Sequence, residues 1–153
     1  MSNNNEERLV SAYELETEAN TDRLAEVSSF VEACLEEAGC GIKTRMQISV
    51  AVEEVFVNIA SYAYASKSGK AKIKLEIYKA PSEAVITFCD SGTPYDPMAR
   101  EDPDVSLSAE DRDIGGLGVY IVKKTMDEVS YEYINGQNVL KIKKAFTRTE
   151  SER

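Results

Sequence analysis

Across residues 42–64 the apolar side chains Ile48, Ala51, Val52, Val55, Phe56, Ile59 and Ala63 recur every three or four positions. That is the spacing of one face of an α-helix. A face this broad is not stable in water, so the fold must offer it a flat apolar surface about 30 Å long. No other feature of the chain constrains the architecture as much.

The flanking segments supply the surface. Residues 8–16 (RLVSAYELE) alternate and predict a first strand. From about Thr21 the spacing of Leu24, Val27, Phe30, Val31, Cys34 and Leu35 predicts a helix, stopped by Gly39-Cys40-Gly41. Residues 71–79 and 83–89 predict two strands joined at Ala80-Pro81-Ser82. A third helical run covers residues 119–126, and residues 129–134 and 139–144 flank Asn135-Gly136, the strongest short signal for a β-hairpin. Strand, two helices, hairpin, loop, helix, hairpin is an α+β order: a two-layer α/β sandwich whose mostly antiparallel mixed sheet is covered on one face by helices. With 153 residues, 42% of them apolar, the expectation is one domain spanning residues 1–153 with a short frayed tail from Thr147.

Composition then removes function classes. Histidine is absent, which excludes Ser-His-Asp and Cys-His nucleophile systems, His-ligated zinc and a phosphohistidine on this chain. A catalytic base must be a carboxylate or, less often, Lys or Tyr. The formal charge of −9 is the opposite of a nucleic-acid footprint and favours a basic protein partner over DNA. Cys34, Cys40 and Cys89 form no CxxC pair and read as residues without chemistry in a reducing compartment. The start MSNNNEER lacks the pattern of a signal peptide, and no apolar run approaches the ~20 residues of a membrane span. The expectation is a soluble cytoplasmic protein.

Three segments can carry chemistry. On the second helix, Glu54 and Asn58 lie one turn apart on the same edge of the apolar face, a carboxylate and a carboxamide able to act as a base beside a hard cation; a solvated helix flank has the same pattern. Directly after a strand, Asp90-Ser91-Gly92-Thr93-Pro94-Tyr95-Asp96-Pro97 sets a carboxylate where it can accept from an exocyclic amine, with a glycine that lets backbone approach a flat ring; these residues are also turn formers. Gly115-Gly116-Leu117-Gly118 opens a helix, so backbone N–H groups and the helix dipole can attract a phosphate; a flexible hinge is the other reading. It is neither a Walker A loop nor the dinucleotide fingerprint. Between the second and third segments, the loop from Ser91 to about Ile114 is long enough to be a lid.

Taken jointly and in this order, VEEVFVNIASYAY (52–64), DSGTPYDP (90–97) and GGLGVYIVKKTMDEVSYEY (115–133) resemble the N, G1 and G2 boxes of the ATPase superfamily shared by DNA gyrase, the ninety-kilodalton heat-shock chaperones, histidine kinases and MutL. The resemblance is strongest to the anti-sigma factor serine-protein kinases of the RsbW and SpoIIAB group and covers about residues 8–146. It implies a Bergerat-type ATP-binding fold with ATP and Mg²⁺ as ligands. It also implies a sigma factor and a STAS-type anti-anti-sigma protein as partners, and a homodimer. By the same resemblance Glu54 is the catalytic base and Asn58 holds Mg²⁺. Asp90 and Gly92 contact adenine with Thr93 beside them, and Gly116 and Gly118, flanked by Gly115 and Leu117, contact phosphates. Arg112, in an ATP lid of about residues 95–114, faces the γ-phosphate. Two other readings stand beside this one: a nucleotide-gated binding module without catalytic output, and a detached histidine-kinase-type catalytic domain. The chain departs from the family where a histidine often follows the N-box asparagine, here Ile59-Ala60-Ser61-Tyr62-Ala63-Tyr64, and where a Gly-Thr pair often precedes the last strand, here Gly136-Gln137-Asn138.

Overall fold

The computed structural model describes residues 8–64, 67–99 and 117–148. Along the chain run β1 (Leu9–Glu18), a 3₁₀ turn (Thr21–Arg23), α1 (Leu24–Glu37), α2 (Ile42–Tyr62), β2 (Lys70–Tyr78), β3 (Glu83–Asp90), a second 3₁₀ turn (Pro97–Ala99), α3 (Leu117–Thr125), β4 (Glu128–Ile134) and β5 (Gln137–Ala145). Local chemistry sets several of these ends. The Asn20 side chain accepts from the Asp22 N–H at 2.9 Å and caps the first turn. Gly39, at φ 82°, ends α1: its N–H and that of Cys40 reach back to Glu36 O and Leu35 O, both at 3.0 Å, a Schellman closure. Asn135 and Gly136, at φ 54° and 78°, form the two-residue turn between β4 and β5.

The strands form one five-stranded sheet in the order β1-β2-β3-β5-β4. The sequence suggested a mostly antiparallel mixed sheet, and all of its pairings are antiparallel. β3 and β4 run in the same direction, but β5 returns from its hairpin into the space between them. The parallel neighbours a mixed sheet requires are thereby separated.

Alternation along the strands then divides the sheet into two faces. Ile73, Leu75, Ile86, Phe88, Leu140 and Ile142 point to the helices and are buried in one cluster with Ile48, Ala51, Val52, Val55 and Phe56 of α2. α1 adds Val27, Val31 and Leu35, and α3 adds Val122. Each large side chain so buried contributes about 1.5–3 kcal/mol relative to exposure. The opposite face is wet and laced with ion pairs such as Lys72–Glu14 at 3.3 Å and Lys143–Glu128 at 2.9 Å. Cys34 and Cys40 are buried and Cys89 is half-buried, all three as free thiols. Among the described residues no helix is long and apolar enough to cross a membrane.

One transverse row of the sheet differs from the rest. Register pairs Thr17 with Ala71, Ala71 with Asp90, Asp90 with Asn138 and Asn138 with Tyr133. Thr17, Asp90 and Asn138 are also the buried polar residues among those described. The polar side chains that cost most to bury are therefore aligned at one end of the sheet.

Candidate functional site

The pocket at that end is lined by Val55, Asn58 and Ile59 of α2, Phe88 and Asp90 of β3, Tyr131 of β4, Asn138 and Leu140 of β5, and Thr93, Tyr95 and Pro97 of the connecting segment. Its walls are apolar and its polar groups few, the composition of a site for a flat, largely apolar ligand with a small number of hydrogen-bonding edges.

Asp90 is the best-defined of these groups. At 4% exposure its Oδ1 accepts from the Gly92 N–H at 2.9 Å and from Asn138 Nδ2 at 2.8 Å. No described residue donates to Oδ2. A buried carboxylate oxygen without a protein donor is an acceptor held ready for a ligand amine.

The segment after β3 is fixed by α2. The Thr93 N–H donates to Ala63 O at 2.6 Å, and a Cβ on Gly92 would run into the Ala63 carbonyl and side chain. Gly92 thus serves a close approach, as the sequence suggested, but in this structure the close neighbour is the end of α2. Tyr64 adds a second tie: its hydroxyl accepts from the Ser91 N–H at 2.9 Å and donates to Lys70 O at 2.6 Å. Asp96 Oδ1 accepts from the Met98 N–H at 2.9 Å, and the Tyr95 ring lies 5.2 Å from that of Tyr62. Tyr95 and Pro97, at the start of the segment the sequence reads as a lid, line the pocket.

On α2, Asn58 donates from Nδ2 to the backbone oxygen of Glu54 at 2.9 Å. That bond fixes the carboxamide and leaves Oδ1 free of donors among the described residues. Such a neutral oxygen suits a hard cation that takes most of its ligands from substrate and water. Glu54, one turn earlier, is not a lining residue. Its carboxylate packs against Gly118 in the first turn of α3, where a Cβ would collide with Oε2.

The structure accordingly brings Asn58, Asp90 and Thr93 to one pocket, with Glu54 and Gly118 in mutual contact beside it and Gly92 behind Thr93. Leu117 is the first residue of α3. Arg112, Gly115 and Gly116, and residues 100–114 of the expected lid, lie outside the described residues.

Sequence reasoning saw Asn138 only as a departure from a familiar pair and passed over Tyr131, Tyr95 and Tyr64. Asn138, at 5% exposure, uses its whole hydrogen-bonding capacity. Nδ2 donates to Asp90 Oδ1 and to Thr93 O at 3.0 Å; Oδ1 accepts from the Tyr95 N–H at 3.1 Å and from the Tyr131 hydroxyl. The backbone carbonyl of Thr93 and the backbone N–H of Tyr95 fix which end of the carboxamide is which. Burial pushes the Tyr131 phenol above its ordinary range, which keeps it a hydroxyl donor. The signal that would have found Asn138 is strand register, which pairs it with Asp90.

The family model for the histidine kinase-like ATPase domain matches residues 17–144, and the chain belongs to that family. It is similar to the serine/threonine-protein kinase BtrW of Bordetella bronchiseptica, 28% identical over 98 residues that cover 64% of this chain and 68% of the relative. It is also similar to the serine-protein kinase RsbW of Listeria monocytogenes, 29% identical over 111 residues that cover 69% of each. Among solved structures, the RsbU and RsbW domains of Rv1364c from Mycobacterium tuberculosis match 92% of this chain with a TM-score of 0.66 at 13% identity, a likeness of fold. This chain spans 34% of that one.

Proposed function

We propose that this chain is an ATP-binding anti-sigma factor and serine-protein kinase that sequesters a sigma factor and phosphorylates a serine of a STAS-type anti-anti-sigma protein. The observation that carries the reading is Asp90: a buried carboxylate with one oxygen committed and one open, at the floor of an apolar slot, in a chain of the histidine kinase-like ATPase family. Kinship to proteins named serine-protein kinases supports the reaction class.

In this reading Asp90 Oδ2 accepts from the 6-amino group of adenine, and Val55, Ile59, Phe88 and Leu140 cover the ring. Gly118, with Gly115, Gly116 and Leu117 before it, receives the phosphates at the start of α3, and Arg112 adds positive charge. Asn58 would hold Mg²⁺ through Oδ1, and the ion would supply positive charge against the phosphates. Glu54 takes the proton from the attacking serine hydroxyl as its oxygen bonds to the γ-phosphorus and the bond to the β–γ bridging oxygen breaks, releasing ADP. Positioning and charge neutralisation carry most of such a transfer. The −9 charge suits capture of a protein with a basic surface.

The test is incubation of the purified chain with γ-labelled ATP and a STAS-domain protein, with phosphoserine read by mass spectrometry. Wild type is expected to transfer label; Glu54→Gln is expected to bind ATP and lose about 100-fold or more in rate. ATP binding without transfer to any serine identifies a nucleotide-gated binding module instead. Absence of adenine-nucleotide binding by wild type refutes the assignment.

A further inference from the structure

Asn138 is the buried polar group of the site that phosphoryl transfer leaves unused. Nothing in the transfer chemistry calls for a carboxamide behind Asp90. Yet this one is saturated, with two donors spent on Asp90 Oδ1 and Thr93 O and its oxygen spent on Tyr95 and Tyr131.

Its effect on Asp90 is to remove a choice. A free carboxylate presents two oxygens, and guanine offers two parallel donors, N1–H and the 2-amino group, that such a pair accepts together. Adenine offers a single amino donor beside an acceptor ring nitrogen. With Oδ1 holding both Asn138 Nδ2 at 2.8 Å and the Gly92 N–H at 2.9 Å, only Oδ2 remains. A base that needs both oxygens leaves a buried donor unpaired, and the 6-oxo group of guanine, where adenine has its amine, opposes a carboxylate oxygen. The side chain cannot turn to offer the other oxygen without breaking two buried hydrogen bonds.

We propose that Asn138 is a specificity-determining positioning residue: by clamping Oδ1 of Asp90 it makes the pocket select adenine over guanine nucleotides. The inference rests on the reading of the pocket as a nucleotide site. It extends that reading from which residue meets the base to which residue sets the choice of base.

The test is calorimetric titration of the full chain with ADP and with GDP, for wild type, Asn138→Ala, Asn138→Leu, Asn138→Thr and Tyr131→Phe, with folding checked by thermal unfolding. Asn138→Leu keeps the volume and loses the donors; Tyr131→Phe keeps the ring and loosens the carboxamide. Wild type is expected to prefer ADP about 100-fold or more. The preference falls about tenfold or more in Asn138→Ala and Asn138→Leu, and about threefold in Tyr131→Phe. It is kept in Asn138→Thr, whose hydroxyl still donates to Asp90. A purely structural role weakens both nucleotides together and leaves the ratio unchanged, and that result in any folded variant lacking the donor, or in Tyr131→Phe, overturns the proposal. Wild type binding neither nucleotide refutes the nucleotide-site reading itself; wild type binding both equally refutes the clamp alone.

Discussion

Substitution of alanine for glycine at three places in this chain has three different consequences, and Gly92 is the severe one. A Cβ there overlaps the backbone carbonyl and Cβ of Ala63, atoms held by α2 and 5% exposed. The turn must withdraw by about 1 Å, enough to forfeit a good part of the packing attraction around it. Overpacking of this kind costs about 1–3 kcal/mol. The Thr93 N–H to Ala63 O bond, 2.6 Å long, is lost in the same movement, for about 1 kcal/mol more. Gly92→Ala should therefore destabilise by about 2–4 kcal/mol, a fall of roughly 5–15 °C in melting temperature for a chain of this length. Gly136 provides the first control: nothing lies within 4 Å of its Cβ position, but φ is +78°, so Gly136→Ala should cost only about 1 kcal/mol of backbone strain. Gly118 provides the second, because the obstacle is the mobile end of the Glu54 side chain and alanine is a better helix former by up to about 1 kcal/mol. Its alanine variant should lie within about 0.5 kcal/mol of wild type while displacing Glu54. Denaturant and thermal unfolding of the three variants measure the order. A Gly92→Ala protein as stable as wild type, or less affected than Gly118→Ala, would refute the claim that the segment after β3 is built on the end of α2.

Two further outcomes follow from the core. Phe56 is fully buried between α2 and the sheet, so Phe56→Ala should lose about 3–5 kcal/mol in urea unfolding; a loss under ~1 kcal/mol contradicts the packing described. Burial pushes the Cys40 thiol up to about 11 from an ordinary 9.0. The unfolded chain therefore releases this proton first, and the stability the thiol contributes is complete below pH 9 and falls away between about 9 and 11, at most about 2–3 kcal/mol. Unfolding as a function of pH should show that alkaline slope reduced in Cys40→Ala, and identical slopes would remove Cys40 as its source.

Much of the fold was legible because its signals are local. The apolar stripe of α2, the glycine that ends α1 and the Asn135-Gly136 turn all follow from backbone repeats of 3.6 and 2 residues and from the few residues that accept φ > 0. Of the candidate site, Glu54 and Asn58 share an edge because they are one helical turn apart, and Asp90 sits at the end of β3 because the alternation stops there. Asn138 was not legible as a functional residue, since nothing within its own strand marks it. Its meaning comes from facing Asp90 across the β3–β5 ladder, 48 positions away in the chain. The tie to Tyr95, 43 positions away, was hidden for the same reason.

The sequence by itself determined the elements, the α+β order, the exclusion of histidine chemistry and the three segments worth attention, because each depends on residue type and short spacing. Tertiary structure alone decided that β5 lies between β3 and β4, that Gly92 rests on Ala63, that Tyr95 and Pro97 line the pocket, and that one oxygen of Asp90 is already taken. Those facts are sums of contacts between distant segments. A one-residue change of register would send Asn138 to the wet face of the sheet and dissolve the site, while every local signal in the chain stayed the same.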